Sequence, residues 1–543
     1  MSLRRCLVAP AVLFAFAALT GCGGNGSGIT NPVAPPSGSF GLSNLNGTYV
    51  FSVSGTDSSS TPSPYALVGT FTANGSGGIS GGTYDMNDAQ FPAANVAAVA
   101  NAPISGGSYI LGVDGRGKVT LNASTPFGNS GSSGGNIVLD FVLQDSSHGL
   151  IIQFDNNASG SGTLDLQTSG VSPAGSYAFS LAGGTVSSSS PIATVGNFAV
   201  GSGGTITGLE DFNDDGVAAP NETLSGSLAI GPSSTPATTL ITGTFGTLTF
   251  DVYPIDATHL KMIELDQVAT LSGDAFSQTS PGIPAQTMAF TLGGGLTTPV
   301  AIGGFMVSDG NGNITSASSE DVNNGGNVAP TVGFSAQYAQ SGTGRFLLNN
   351  FSNFFGGTAY AAYPSSGGLL LLEIDTSGLM FGAAYTQTAP STFSTSSGYG
   401  FNLSGMNQSA GAEVDDIAEF ATSTTGTTAT GVIDENSPAT GPVYGLALSG
   451  TYTLPSGGRG AISAAAGNNN VSTINGGVGL TFYTVDGTTF PFIQTDNTTG
   501  QVATGVMVAQ NPSASSASAA LRSHMFVAAP LFRSHAMLKK KQK

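Results

Sequence analysis

The chain of 543 residues has no tryptophan, two cysteines and only 8% charged residues, where soluble proteins carry roughly 25%. Each shortage excludes something. Asp and Glu number 31 against 13 Lys and Arg, so no basic face is available for nucleic acid. The cysteines, Cys6 and Cys22, both lie near the N-terminus and leave no pair to cross-link the body. Its stability must come from packed sheet. Helical periodicity is missing outside the N-terminal segment, which is itself too short to cross a bilayer. What is abundant is glycine, 80 residues, beside a hydrophobic fraction of 40% that is ample for burying cores.

The N-terminus carries a sharp signal. Arg4 and Arg5 precede the apolar stretch Cys6 to Leu19, which ends in Leu19-Thr20-Gly21-Cys22. This is the layout of a secretory signal, and its last four residues resemble the lipobox of bacterial lipoproteins. The resemblance implies that residues 1–21 are removed as a signal peptide. It also implies that the Cys22 thiol receives a diacylglycerol and its amine an acyl chain, anchoring the protein to a membrane. Gly23 follows where the inner-membrane retention signal would place Asp, so the resemblance implies the outer membrane. Residues 22–44, rich in Gly, Ser, Pro and Asn, read as a flexible tether.

Charge is placed unevenly. Two cations lie in the signal. Six more (Arg522, Arg533, Lys539, Lys540, Lys541 and Lys543) lie in a tail without acids, leaving five for the body against all 31 acids. Residues 513–543 read as a basic disordered tail.

The body is a fourfold internal repeat. Pentapeptides ending at Asp155, Asp266, Asp375 and Asp496 recur at spacings of 111, 109 and 121 residues, and Gln167, Gln278, Gln387 and Gln510 follow them. Each copy opens on an alternating apolar segment: Tyr49/Phe51, Tyr177/Phe179, Met288/Phe290 and Tyr399/Phe401. A later segment of each copy ends in Asp-x-Asn: Asp85/Asn87, Asp211/Asn213, Asp321/Asn323 and Asp434/Asn436. A Tyr followed seven residues on by Arg appears as Tyr109/Arg116, Tyr338/Arg345 and Tyr452/Arg459, but not in the second copy. The repeats delimit β-units at 45–168, 173–280, 284–390 and 395–512.

Within a unit the period is two. Eight short runs (48–54, 66–73, 79–85, 107–113, 117–122, 136–144, 149–155 and 162–167 in the first) are joined by tight Gly/Asn/Asp/Ser turns. Tight links impose antiparallel meanders. The expected fold is all-β: four tandem up-and-down barrels of eight strands, with two-sheet sandwich units as the alternative. One large membrane-spanning barrel would need aromatic girdles, which a chain without tryptophan lacks.

For chemistry, Asp211, Asn213, Asp215, Val217 (through its carbonyl) and Glu222 fit the spacing of a calcium loop. An acidic hairpin turn is the competing reading. The repeated Asp positions read as strand stops that bond their own backbone, and the arginines as clips to nearby carboxylates. His148 and His259 occupy equivalent turns, but the third and fourth copies have Gly368 and Thr489 there, which excludes a relay shared by all copies. No nucleophile triad or zinc signature appears, and no cofactor is required beyond the candidate calcium. The sequence therefore reads as a non-catalytic, surface-exposed lipoprotein whose repeats bind an envelope polymer or protein. A lipocalin-like carrier with a ligand in each barrel is the alternative, and an acid-pair glycan enzyme a weaker one.

Overall fold

The computed structural model describes residues 33–514, apart from 60, 93–96, 127–134, 169–170, 229–236, 244–245, 267, 279–281, 296, 353–357, 389–391, 424–426, 454, 467–476 and 498–499. The chain folds as four antiparallel β-barrels. Barrel 1 comprises β1 (Asn46–Asp57), β2 (Pro64–Asn74), β3 (Gly78–Asp88), β4 (Val99–Ile104), β5 (Gly107–Leu111), β6 (Arg116–Leu121), β7 (Ile137–Leu143), β8 (His148–Gln153) and β9 (Ala158–Leu166). Barrel 2 comprises β10 (Gly175–Gly184), β11 (Pro191–Val200), β12 (Thr205–Asp214), β13 (Val217–Leu228), β14 (Ala237–Gly243), β15 (Gly246–Pro254), β16 (His259–Glu264) and β17 (Ser272–Ser277). Barrel 3 comprises β18 (Thr287–Gly295), β19 (Pro299–Val307), β20 (Asn313–Asn324), β21 (Asn327–Gly342), β22 (Arg345–Asn349), β23 (Ala359–Ser365), β24 (Gly368–Glu373) and β25 (Met380–Thr386). Barrel 4 comprises β26 (Gly398–Asn407), β27 (Ala412–Thr422), β28 (Thr428–Asn436), β29 (Val443–Tyr452), β30 (Arg459–Ala466), β31 (Val478–Tyr483), β32 (Thr489–Gln494) and β33 (Gln501–Ala509).

Barrels 2 to 4 close by pairing their first and last strands. Barrel 1 does the same through β1 and β9. Its fourth strand position is split: β4 pairs with one end of β3 and β5 with the other. Barrel 1 thus has eight strand positions and nine strands. The eight expected runs of this unit all form strands. The added β4, Val-Ala-Asn-Ala-Pro-Ile, was invisible because it neither alternates nor carries β-branched residues beyond its ends.

Strand alternation assigns the two faces. Tyr49, Phe51 and Val53 enter the core of barrel 1, while Val50 between them joins a different cluster with Tyr253, Ile255 and Ile263 of barrel 2. In barrel 2, Tyr177, Phe179 and Leu181 point inward, and Ala178 points outward. The outward residues are buried as well, because the barrels pack on one another. A single shared cluster unites Val142 and Leu150 of barrel 1, Ala178 and Val195 of barrel 2, Phe305 and Tyr363 of barrel 3, and Ile417 and Val506 of barrel 4. Barrel 1 meets barrel 2, barrel 2 meets barrel 3, barrel 3 meets barrel 4, and barrel 4 returns to barrel 1 through β27 against β7, β8 and β9. The repeat is therefore a closed ring rather than a string of independent beads.

Two expectations at the edges change. The tether reading of 22–44 does not hold for its last residues. Phe40 is 3% exposed within the barrel 1 core, and its N–H donates to the Val113 carbonyl at 3.1 Å. Asn44 Nδ2 donates to the Pro512 carbonyl at 2.9 Å, which ties the two ends of the body together. Phe393, in the expected linker before the fourth unit, enters the interior of barrel 4 and meets Tyr399, Phe482 and Phe490 at ring distances of 4.9, 5.0 and 4.6 Å. Cys22 and residues 515–543 of the tail lie outside the described residues.

Candidate functional site

The repeated polar landmarks meet at the interfaces between barrels. On β12, Asp211 and Asn213 share the face turned toward barrel 3. The Arg345 guanidinium donates to both Asp211 oxygens, at 2.8 and 2.5 Å, and the Tyr363 hydroxyl donates to Asp211 at 2.6 Å. Asn213 Nδ2 donates to the carbonyls of Glu373 and Gly378 at 2.9 and 2.8 Å. One barrel along, Asp321 receives Arg459 at 2.9 and 2.8 Å and the Tyr483 hydroxyl at 2.8 Å. Asn323 donates to the carbonyls of Gln494 and Gln501. Barrel 4 then reaches barrel 1. Arg116 donates to Asp434 at 2.7 Å and to its neighbour Asp114 at 3.0 Å, while Asn436 donates to the carbonyls of Gln153, Asp155 and Ala158.

The repeated glutamines complete each clasp. Gln167 donates to the Pro254 carbonyl, Gln278 to Gly344 and Pro364, Gln387 to Thr484, and Gln510 to Asp114 and Leu143. Each barrel thus presents an Asp, an Asn and a Gln to the next. The arginines are clips that join barrels, and Arg116 also fastens its own hairpin through Asp114. The Asp-x-Asn carboxylates do bond their own unit's backbone, as Asn221 N–H to Asp211 and Thr331 N–H to Asp321 show. Their second role is this crossing. The terminal aspartates remain local stops: Asp155 accepts from Asn157 N–H, Asp266 from Thr249 N–H, Asp375 from Ala359 N–H and Asp496 from Gly479 N–H.

The interface between barrels 1 and 2 is built differently, because the second copy lacks the arginine. Asp85 accepts from the Tyr253 hydroxyl at 2.5 Å, and Asn87 donates to the carbonyls of Glu264 and Ala269. Burial, with Asp251 nearby, pushes the Asp85 carboxyl up to about 7. The cation here is Lys261, fully buried, at 2.6 Å from Thr163 Oγ1, 3.0 Å from Asp274 and 3.3 Å from Asp165. His259 Nε2 lies 2.6 Å from Asp274, and His148 Nδ1 lies 3.0 Å from Asp145. All five body cations, Lys118 with Asp140 included, stand against carboxylates.

The calcium spacing is a correction. The five residues do not converge. Asp215 (φ 50°) and Gly216 (φ 85°) form a two-residue hairpin turn between β12 and β13, a conformation that favours Asp/Asn followed by Gly. Asp211 is committed to Arg345 and Tyr363, and Val217 is 69% exposed. Glu222 pairs across the sheet with Glu210, which points to the face opposite Asp211. Among the described residues no group of three or more His, Cys, Asp and Glu is placed to hold a metal.

Sequence reasoning missed the clasp tyrosines, although Tyr253, Tyr363 and Tyr483 stand 13, 12 and 13 residues before the terminal aspartates. It also missed a population of buried acids. Burial, in each case the largest cause, pushes Glu210, Glu264, Glu373 and Glu419 up to about 8, and Asp88 to about 7. Barrel interiors hold mostly aromatic and aliphatic side chains. In barrel 3 the rings of Phe290, Phe334, Phe351 and Tyr360 contact one another at 5.2 to 6.1 Å.

No family model matches the chain, and no curated protein does. Among solved structures, a double mutant of the vaccine antigen transferrin binding protein B from Haemophilus parasuis Hp5 matches at 11% identity and a TM-score of 0.19. The match covers 67% of this chain and 83% of that one. The isotype 1 transferrin binding protein B from serogroup B Neisseria meningitidis matches at 10% identity and a TM-score of 0.19, covering 66% and 84%. The siderophore receptor PirA from Pseudomonas aeruginosa matches at 8% identity and a TM-score of 0.13, covering 86% and 80%.

Proposed function

We propose that this protein is an exported lipoprotein, anchored through Cys22 to the outer membrane, whose closed ring of barrels is a non-catalytic platform for binding an uncharged envelope polymer. The observation that carries the reading is the outer wall of the third and fourth strands. Across β12 and β13, exposed Thr207 pairs with Ser225 and Thr205 with Ser227. Across β28 and β29, exposed Thr430 pairs with Ser449 and Thr428 with Thr451. In barrel 3 the exposed face of β21 runs Thr331, Gly333, Ser335, Gln337, Ala339. These walls offer hydroxyls and amides without charge. Such a surface suits a hydroxyl-rich polymer held by many weak hydrogen bonds, and a ring carrying several copies gains avidity from repetition. Every body cation is committed to a carboxylate, which disfavours an anionic partner. The packed interiors disfavour a carrier with one ligand in every barrel.

The test is sedimentation of the full chain with insoluble envelope polysaccharide. The reading expects retention that persists in 0.5 M salt, since charge is not the contact, and that falls when Thr207, Ser225, Thr430 and Ser449 are changed together to Glu. Retention lost in salt, or untouched by the four changes, overturns the polymer reading. Incorporation of labelled lipid into wild type but not Cys22→Ala tests the anchor separately.

A further inference from the structure

Four copies of one fold provide an internal comparison, and barrel 4 departs from the other three at two adjoining core positions. On the strand following the Tyr/Met-x-Phe opening, the inward residue facing Leu403 is Asp416. The same register position is Leu67 in barrel 1, Thr194 in barrel 2 and Ile302 in barrel 3. Directly across from Asp416 on β28 stands Glu435. The residue just after the clasp Asp is Met86, Phe212 or Val322 in the other barrels, all in their cores. Barrel 4 has therefore placed two carboxyls side by side where its siblings place apolar side chains or, at one position in barrel 2, the uncharged Thr194. Both are fully buried. A buried charge without a counter-charge is destabilising, so packing alone would favour the sibling residues.

Barrel 4 also keeps space beside Asp416. Its interior pocket is lined by Asp416 with Phe401, Phe420, Ala429, Leu448 and Ala464, among other apolar residues. It leaves about 30 Å³ for the centre of a water-sized sphere, roughly the room of two waters. The space has an identifiable origin. Ala429 stands where barrel 2 has Ile206, each paired with a glycine. Leu448 stands where barrel 3 has Phe334. Neither Asp416 oxygen accepts a hydrogen bond from a described donor. Burial, then the charges of Glu435 and Asp415, hold its carboxyl well above the usual range.

We propose that the interior of barrel 4 is a binding site for a small primary ammonium of the size of methylammonium, its nitrogen seated on Asp416, with Glu435 paired beside that residue on the neighbouring strand. An ammonium supplies a counter-charge and the donors that the Asp416 oxygens lack, and its methyl group matches the apolar lining. A hard metal ion would need six or more oxygens, and the wall offers few. The inference does not depend on the polymer reading, which concerns the outer walls.

The experiment is calorimetric titration of the full chain with methylammonium and, for comparison, uncharged methanol. One site per chain is expected, with the ammonium bound at least tenfold more tightly than the alcohol. Asp416→Leu, which installs the barrel 1 residue, should abolish this binding and leave the melting temperature equal or higher. Ala429→Ile, which fills the pocket and leaves both carboxyls in place, should also abolish it and decides the matter if the first variant does not fold. Absence of binding, equal affinity for ammonium and alcohol, calcium binding in place of the amine, or retention of binding in either variant would overturn the proposal.

Discussion

Raising the pH should destabilise this protein well before ordinary alkaline denaturation. Glu210, Glu264, Glu373 and Glu419 are each no more than 5% exposed, and burial foremost raises each from 4.5 to about 8. A carboxyl whose folded pKa lies above its unfolded value binds its proton more tightly in the native state. Its stabilising contribution is complete below the unfolded pKa and is lost as pH rises through the folded one. The window is therefore pH 4.5 to 8, with Asp415, raised by burial to about 6, contributing in its lower half. At about 1.4 kcal/mol per unit, one such glutamate loses up to about 5 kcal/mol across the window, and four lose up to about 20. That exceeds the stability of a typical domain, about 5–15 kcal/mol. Asp274 works the other way: burial opposes ionisation, but Lys261 and His259 prevail and hold it at about 2. Its contribution is lost only in acid, between about pH 4 and 2. Scanning calorimetry should find the highest melting temperature near pH 4–5 and a fall of at least about 10 °C by pH 9, since a 110-residue barrel has an unfolding entropy of about 0.2 kcal/mol/K. Glu210→Gln combined with Glu373→Gln should flatten the profile. A melting temperature constant or rising from pH 5 to 9 would refute the reasoning.

Arg345→Ala should cost about 3–5 kcal/mol, because it strands Asp211 in a buried interface; denaturant unfolding measures it, and pairing the change with Asp211→Leu should recover most of the loss. Gly303→Ala tests the fit of barrels 3 and 4, since a Cβ there would sit 2.3 Å from the Tyr483 ring, which its bond to Asp321 holds in place; a loss of about 1–3 kcal/mol is expected, and an unchanged midpoint would contradict the contact. A fragment of residues 173–280 would expose Ala178, Val195, Tyr253 and Ile263, which the ring buries; it should self-associate on gel filtration and bind a hydrophobic dye, and a monodisperse, dye-silent fragment would show that the barrels stand alone.

The fold was legible because its signals are local. Period-two segments such as Tyr49-Val-Phe51 and glycine turns such as Asp114-Gly115 specify hairpins without reference to distant sequence. Meander topology then leaves few choices beyond a small barrel. The ring was not legible, because its signals are shared between copies. Asp211 and Arg345 are 134 residues apart, and each has a sufficient local explanation as a turn acid or a hairpin clip. Only the offset between copies gives them away: each Asp-x-Asn aspartate pairs with an Arg, a Tyr or both from the following copy, not its own. The calcium reading failed for the same reason. Spacing fixed the positions of oxygens along a line, but strand alternation sent Asp211 and Glu222 to different faces. The carboxyl pair of barrel 4 could have been found by aligning the copies and asking where acids replace core residues. Asp415 and Asp416 are adjacent, however, and nothing in a single copy says which of them faces in.

One interface of the ring, between barrels 4 and 1, has no short stretch of chain across it. Barrels 1 and 2 are joined by a short connection, which holds them at an effective concentration in the millimolar range without any side-chain contact. This is the interface that lacks an arginine, relying on Tyr253 and the buried Lys261 instead. Barrels 4 and 1 are the first and last of the chain, and closing them orders a loop of the whole body. Loop-closure entropy grows only slowly with length, but here no short covalent link offsets it. That interface accordingly carries the densest set of polar contacts. Arg116 bridges Asp114 and Asp434. Asn436 reaches three carbonyls, and Ser159 and Ser161 donate to Asp415 at 2.6 and 2.7 Å. Gln510 adds two carbonyl bonds, and Asn44 ties the entering chain to the departing one. Barrels 1 and 2, 2 and 3, and 3 and 4 are each held by a short peptide connection, the last two with an arginine clasp as well. Between barrels 4 and 1 noncovalent contacts alone hold the pair, the Asn511 N–H to the Gln144 carbonyl among them, and Asp434 and Arg116, though 318 residues apart, form the ion pair that closes the ring.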